Sequence, residues 1–404
     1  MASDVRQGAH VLVVNTMFPP PYVGGAERSV EALCLDLIAA GHRVTVLALK
    51  SKGSVDVQDV EGIEVIRLRI PNLFWKWGNR RRRARVLETL WNLIDLSATI
   101  GLAHVSRIAR KIGPDVIVTN NISGWAYGPW AFAASSAIPL VHVVRDYNLL
   151  CVRSNLMRNG LCETICGKCR PRRDASRRNW PGGTVVGISR RVVELHQEHG
   201  LFADTDVTYS HPRITNAGQP AAPRAADRAG RELVLGYLGR LGPEKGVELM
   251  LSAAERAGVT VHVAGAGQDS YRDDLARRFP RAEFVGEVDA NNFLSSVDAL
   301  VVPSVWEEPF GRVAAEAAVL GVPSFISERG GLAEAAESHG GRFHLIDPED
   351  ETALALAFTK FLNGSLIFSD PVVSRFPSTD IADIVRHVVQ VRASRRSNAD
   401  LDSR

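Results

Sequence analysis

Short apolar runs recur along the chain, and each is closed by a polar residue, glycine or proline. VLVV (11–14), RVTVLAL (43–49), VIVT (116–119) and LVHVV (140–144) form a first series. LVLGYLG (233–239), VTVHVAG (259–265), AEFVG (282–286), ALVVP (299–303) and VPSFIS (322–327) form a second. Helical periodicity separates most of them, and that alternation predicts parallel sheets with helices on both faces. Between the series lies TDVTYSHPRITNAGQPAAPRAADRAG, rich in Pro, Ala and Gly, which reads as a connection with the domain boundary near residue 215. The expected architecture is α/β: two Rossmann-like domains, 1–210 and 216–365, with strand ends of both facing one cleft. The segment 373–395 carries a further helical pattern.

The most informative stretch is VVPSVWEEPFGRVAAEAAVLGVP (301–323). An apolar run ends at Pro303, an acidic turn follows, and a helix is predicted from Arg312 to Leu320, stopped by Gly321 and Pro323. Glu308 falls in the turn and Glu316 in the helix. At that separation a helix starting near Gly311 carries Glu316 below the mouth where Glu308 sits. The N–H groups of Phe310, Gly311 and Arg312 have no partner within such a helix and point at whatever enters. A strand end, a helix N-terminus and two carboxylates make a socket for a polyhydroxylated anion such as a nucleotide-sugar.

This segment resembles the E-x7-E signature of the retaining GT-B glycosyltransferases of family 4. FPPPYVGGAERSVEALCLDLIAAGHRVTVLAL (18–49) resembles that family's glycine loop and first helix, and GYLGRLGPEKGVELML (236–251) its phosphate motif. ISERGGLAEAAE (326–337) resembles its GGxxE loop through Gly330, Gly331 and Glu334. The likeness runs from about residue 11 to 350. It implies a GT-B fold whose last helix crosses back to the first domain, a nucleotide-sugar donor held by the second domain, and an acceptor held by the first.

The resemblance also implies roles. Glu316 accepts hydrogen bonds from the ribose hydroxyls, and Glu308 lies beside the sugar with the N–H groups of Phe310 and Gly311; Glu307 is an adjacent decoy. Arg240 and Lys245 flank a loop after a strand, where paired cations stabilise a departing pyrophosphate without a metal. Each charge-assisted hydrogen bond of this kind is worth ~1.5–3 kcal/mol in a shielded cleft. Gly24 and Gly25 let a phosphate approach the helix that starts near Ala26. One position departs from the family: VHVVRDYNLLC places Arg145 where many relatives carry a histidine. Arginine stays protonated and is no base, so Arg145, with Asp146, is expected to meet a phosphate or an anionic acceptor.

Composition narrows the picture. The 404 residues, 45% of them hydrophobic, suffice for two cores. MASDVRQ carries charge and no apolar core of a signal peptide, and the longest uncharged stretch, 116–144, is broken by Asn, Gly and Pro. A cytoplasmic protein is expected. The net charge of +3 divides into +9 for residues 1–210 and −6 for the rest. The excess sits in KWGNRRRRAR (76–85) and KCRPRRDASRR (168–178). Phe74, Trp75 and Trp77 precede the first cluster, which suits either a solvated loop or an anionic membrane carrying a lipid-linked acceptor. Nucleic acid is not an expected partner.

Cys151, Cys162, Cys166 and Cys169 form C-x10-C-x3-C-x2-C, for which a structural, four-thiolate zinc site is the first expectation and free thiols the second. No cofactor is expected in catalysis. Cys34 reads as core. Asp204-Thr205-Asp206 sits at the domain connection and reads as incidental, and GAGQDS (265–270) lacks the third glycine of a dinucleotide site. The rival readings are a GT-B sugar epimerase and an idle nucleotide-sugar-binding subunit.

Overall fold

The computed structural model describes residues 8–20, 24–77, 84–214, 232–370 and 376–402, the last with side chains to residue 394. In the first domain β1 (His10–Val14), α1 (Gly25–Ala39) and β2 (Arg43–Lys50) are followed by a hairpin of β3 (Asp56–Val60) and β4 (Ile63–Arg69). Helices α2 (Arg85–Ile94) and α3 (Ala98–Ile112), β5 (Val116–Thr119), α4 (Gly128–Ser135) and β6 (Leu140–Val144) come next. A long loop leads to α5 (Arg170–Asn179), β7 (Thr184–Gly187), α6 (Arg190–Glu198) and β8 (Asp206–Tyr209). The sheet order is β3-β4-β2-β1-β5-β6-β7-β8, parallel except at the β3–β4 hairpin.

The second domain runs β9 (Val234–Leu238), a 3-10 turn Pro243–Lys245, α7 (Val247–Ala257), β10 (Thr260–Ala264), α8 (Asp269–Arg278) and β11 (Ala282–Gly286). It continues with α9 (Ala290–Ser296), β12 (Ala299–Val302), α10 (Arg312–Val319), β13 (Ser324–Ser327), α11 (Leu332–Glu337), β14 (Phe343–Ile346) and α12 (Glu351–Leu362). Its sheet is parallel throughout, in the order β11-β10-β9-β12-β13-β14. The reversal of direction beside β9 is the switch point of a doubly wound fold, where ligands collect at strand C-termini. The two parallel-sheet α/β domains bear out the expected fold class.

Strands covered on both faces lose the polar alternation, which is why β5, β6, β12 and β13 are buried at every position. The expectation missed β3, β4, β7, β8 and β14. Part of the stretch read as connection is therefore β8, and Asp206 of the Asp-Thr-Asp triplet opens that strand. The final helix, α13 (Ile381–Asp402), begins later than 373. Its Ile381, Ala382, Ile384 and Val385 are buried in the first domain's core, beside Leu37 and Val116.

Candidate active site

The turn after β9 is seated against the end of β12. Gly246 has φ +69°, and a side chain there would lie 1.9 Å from the Pro303 carbonyl. Only glycine permits that approach. Val305 N–H then bonds the Glu244 carbonyl at 3.1 Å. As a result Lys245 Nζ donates to Glu308 Oε2 at 2.6 Å. The same oxygen accepts from Trp306 Nε1 (2.9 Å) and Ser304 Oγ (3.3 Å), and the ammonium lies 4.9 Å from the Trp306 ring centre. Arg240, by contrast, is over half exposed and bonded to Glu244.

Gly311 caps α10 in the left-handed region, φ +96°. No described group accepts a hydrogen bond from the N–H of Phe310, Gly311 or Arg312. The Phe310 ring is buried and stacks on His211 of the facing domain. One turn into α10, Glu316 is bonded by Arg312 Nε at 2.7 Å, with both side chains 13% exposed. Arg312 also reaches across the cleft: its Nη1 lies 3.4 Å from Ser29 Oγ, and Gly25 packs against its Cδ. Sequence reasoning passed over Arg312, although its i,i+4 spacing to Glu316 was a usable signal. On the opposite wall, Gly24 is extended and leaves α1 without a side-chain cap. The Glu27 carboxylate folds back on the N–H groups of Gly24 and Glu27, and burial raises its pKa.

The GGxxE loop is structural as well as proximal. Gly330, at φ +70°, lies so close to Glu308 that a side chain would meet its backbone at 2.1 Å. Gly331 spends its N–H on the Glu308 carbonyl (2.7 Å), and a side chain on it would strike Ser189. Glu334 is a buried bridge between domains, taking Arg190 N–H at 2.7 Å and His211 Nε2 at 2.8 Å. Ser189 Oγ donates to the Pro309 carbonyl at 2.6 Å, and Arg191 pairs with Glu307 at 3.4 Å. Glu307 is thus an interdomain strut.

The first domain's strand ends form the floor. Asn121, after β5, takes the Asn15 side chain on its N–H (3.0 Å), and its Oδ1 accepts from Thr16 Oγ1 and Ser123 N–H. Its amide donates to Asp146, which also accepts Asn148 N–H at 2.7 Å. Burial nevertheless raises the Asp146 pKa. Arg145 bonds Asn120 Oδ1 at 2.6 Å. Burial, with Arg312 pushing the same way, lowers Arg145 to about 10, so it remains a cation at neutral pH. Tyr147 is buried, crosses to Trp306 edge-on at 6.3 Å, and its hydroxyl has no described partner. The cleft therefore holds cations from both domains, open N–H donors and carboxylates already held in place.

The profile of the glycosyl transferase 4-like domain matches residues 24–209, and that of the glycosyl transferases group 1 matches residues 232–364. Together they account for most of the chain. It is a family 4 GT-B glycosyltransferase. The chain is 28% identical to an uncharacterized 42.6 kDa protein in the cps region of Klebsiella pneumoniae, over 84% of this chain and 91% of that one. It is 28% identical to glycogen synthase of Mycobacterium tuberculosis, over 87% and 86% respectively. Among solved structures, sucrose-phosphate synthase from Thermosynechococcus elongatus superposes with TM-score 0.66 at 19% identity, covering 98% of this chain and 100% of that one. HepE of Anabaena, in complex with UDP-glucose, gives 0.59 at 19% identity, covering 96% and 100%. At that identity the structural likenesses speak for the fold.

Around this glycosyltransferase cleft lie the remaining sequence features. Cys151 and Cys169 bring their sulfurs to 3.7 Å, close to the sulfur–sulfur edge of a tetrahedral thiolate site with bonds of ~2.3 Å. Cys162 and Cys166 stand in the same loop, but among the described residues no three His, Cys, Asp or Glu side chains converge on a metal position. The second basic cluster is only partly a free surface. Its Arg172 is buried and paired with buried Asp95 at 2.7 Å. Asp95 in turn accepts the N–H groups of Gly124 and Ala126.

Nor do Phe74, Trp75 and Trp77 face outward. They are half-buried: Phe74 and Trp77 pack with Trp91, Trp75 stands edge-on to Trp77 at 5.0 Å, and Lys76 lies over the Trp91 ring at 4.5 Å. Rings that can exclude water from an ion pair and an ammonium stem are worth more there than at the surface. Arg80–Arg83 lie outside the described residues. Cys34 is fully buried in the core.

Proposed function

We propose that this glycosyltransferase moves a sugar from a nucleotide-sugar donor to a glycan or lipid-linked glycan acceptor, with retention at the anomeric carbon and without a catalytic metal. The observation that carries this reading is the Lys245–Glu308 contact beside the open N-terminus of α10. Lys245 and Arg240 meet the diphosphate and take the charge that develops as the C1–O bond breaks. Glu316 holds the ribose, and Glu308 leaves its salt bridge to orient the sugar hydroxyls. The acceptor oxygen attacks from the face the phosphate leaves, and its proton passes to the departing phosphate oxygen. No protein base is needed, which is compatible with Arg145 replacing the histidine. Arg145 then serves the acceptor or a phosphate.

The relatives support the donor class: HepE is a structural neighbour seen with UDP-glucose. The cysteine loop we read as a structural zinc clip started by Cys151 and Cys169, whose sulfurs stand 3.7 Å apart, with Cys162 and Cys166 of the same loop closing on the metal as it binds, a clip that steadies the cleft mouth without entering the reaction. About one zinc per chain is expected on elemental analysis of protein purified without chelator; metal-free, active protein refutes the clip alone. For the main reading, nucleoside diphosphate release is measured over UDP-, GDP-, ADP- and dTDP-sugars with a polyprenyl-diphosphate glycan acceptor. One donor is expected to turn over with unchanged rate in EDTA, and NMR of the product to report retention. A donor that binds but never turns over, with any acceptor, would return the chain to an idle binding subunit.

A further inference from the structure

Helix α2 turns its apolar face the wrong way for a helix of a globular core. Val86, Leu87, Leu90 and Leu93 fall on one stripe at helical spacing, and they are 69%, 42%, 44% and 55% exposed. The polar positions Arg85, Glu88, Thr89 and Asn92 share the rest of the circumference. What fixes this orientation is Trp91, at the edge of the stripe. Its ring is buried, its Nε1 donates to the Phe74 carbonyl at 3.0 Å, and Phe74, Trp77 and Lys76 close around it. The helix is therefore held by one large anchor while its aliphatic stripe is left outside. Leu73 before it and Ile100 after it add to the exposed apolar surface, at 51% and 42%. An exposed aliphatic stripe along one helix marks an interaction surface rather than scattered exposure.

The charge around the patch selects the partner. Arg85 is exposed at the start of α2 and follows four consecutive arginines in the sequence, Arg80–Arg83. Beyond the bend of 60° between α2 and α3, exposed Arg107 and Lys111 lie on the same side of α3 as Ile100, with Arg110 beside them. Of the two acidic residues nearby, Asp95 is buried against Arg172, leaving Glu88 on the polar side. No single described helix is long and apolar enough to cross a bilayer, and α2 with α3 reaches that length only as a pair broken by their 60° bend. An apolar stripe edged by cations, on a helix too short to span, suits the plane of an anionic headgroup layer.

We propose that α2 is a membrane-docking helix: Val86, Leu87, Leu90 and Leu93 enter the headgroup boundary of an anionic bilayer, while Arg85, Arg107 and Lys111 meet its lipid phosphates. The assignment moves the contact from the tryptophans before the arginine run to the aliphatic side chains after it. It deepens the functional reading, because the docked helix belongs to the domain that takes the acceptor and would bring the cleft to a lipid-linked one.

The test is sedimentation of the full chain with phosphatidylglycerol vesicles and with phosphatidylcholine vesicles, at low and high salt. Binding is expected to require the anionic lipid and to weaken with salt. The double variant Leu90→Asp/Leu93→Asp is expected to partition at least roughly tenfold more weakly, with an unchanged melting temperature because both side chains are exposed. Arg107→Ser/Lys111→Ser should bind more weakly and with a shallower salt dependence. Equal binding to neutral vesicles, or no loss in Leu90→Asp/Leu93→Asp, overturns the assignment. So does a concentration-dependent dimer, abolished by those substitutions, in protein that ignores vesicles: the face would then join two copies of this chain. Vesicle binding needs no turnover, so an inactive protein that binds refutes only the functional reading, and an active one that does not bind refutes only this one.

Discussion

Lys245 and Glu308 are 63 positions apart in sequence and 2.6 Å apart in the fold. Neither motif that contains them implies the contact. It arises because Gly246 lets the turn after β9 lie on Pro303, at the switch point of the second sheet. The pair is 19% and 15% exposed, so each charge is largely withdrawn from water and compensated by the other. On the proposed reading a donor sugar-diphosphate divides them, phosphate to the lysine and hydroxyls to the glutamate.

That arrangement predicts the phenotypes of single substitutions. Lys245→Ala is expected to lower turnover by at least roughly a hundredfold, the scale of losing one preorganised charge donor. Steady-state rates measured beside melting temperatures decide the matter. A folded Lys245→Ala protein with near-native turnover would exclude the leaving-group role.

Glu316 differs from Glu308 in having an intrahelical partner. Glu316→Gln should weaken bare nucleotide and nucleotide-sugar alike, because the ribose is common to both, and it also removes the negative charge that Arg312 bonds at 2.7 Å. Glu308→Gln should weaken the nucleotide-sugar more than the nucleotide. Calorimetric titration of both variants with both ligands separates these roles. Equal losses for bare nucleotide in the two variants would show that the roles are wrongly divided.

The overall architecture was readable because central parallel strands are continuous apolar runs, and every one of β1, β2, β5 and β6 announced itself in that way. The edge hairpin was not. Asp56–Val60 reads DVQDV and is exposed at its middle positions, so it carries no apolar run to detect. β14 hides for a similar reason, with His344 and Leu345 incompletely buried in a four-residue strand. In the site, spacing pointed to Glu308 and Glu316 one at a time, but not to the partners that hold them. Ser29 and Ser189 come from the opposite domain, and a single chain carries no trace of such encounters; Arg312, four residues before Glu316 on α10, and Trp306, two before Glu308, were local signals passed over. The exposed stripe of α2 was equally hidden, because periodicity shows that a helix has an apolar face and not which way it turns.

The Arg172–Asp95 pair offers a prediction about stability alone. Both side chains are almost fully buried, at 3% and 1% exposed, and Asp95 ties the junction of α2 and α3 to the Gly124–Ala126 backbone. Removing one partner leaves the other charge stranded. Arg172→Ala is expected to cost about 3–5 kcal/mol, read from urea midpoints at constant slope. Arg172→Met/Asp95→Asn should recover a good part of that loss. A double variant no more stable than Arg172→Ala would mean that packing, rather than a stranded charge, sets the penalty.

Buried histidines, His142 and His196 foremost, should make the protein sensitive to mild acid. Burial holds His142 at about 3 and His196 at about 4, against 6.5 for the free side chain. His196 donates from Nδ1 to the Val192 carbonyl at 2.7 Å and stacks between Tyr147 and Phe202, with no described partner for Nε2. Below pH ~6.5 the unfolded chain takes up protons that the folded chain refuses, so stability falls as pH drops, by at most ~1.4 kcal/mol per unit for each histidine. Above that pH both states are neutral at these positions and the contribution is constant. The buried carboxylates act in the opposite sense: Glu27, Asp95 and Asp146 have raised folded values and gain protons in the folded state first. They offset part of the histidine effect wherever they take up their proton. Melting temperatures are therefore expected to be flat from pH 8 to 7 and to fall from pH 6.5 to 5. His196→Leu, which fills similar space without a titrating group, should make that fall measurably shallower, since one of the buried proton sites is gone. If His196→Leu and the natural chain lose the same number of degrees over that interval, the acid sensitivity has another source.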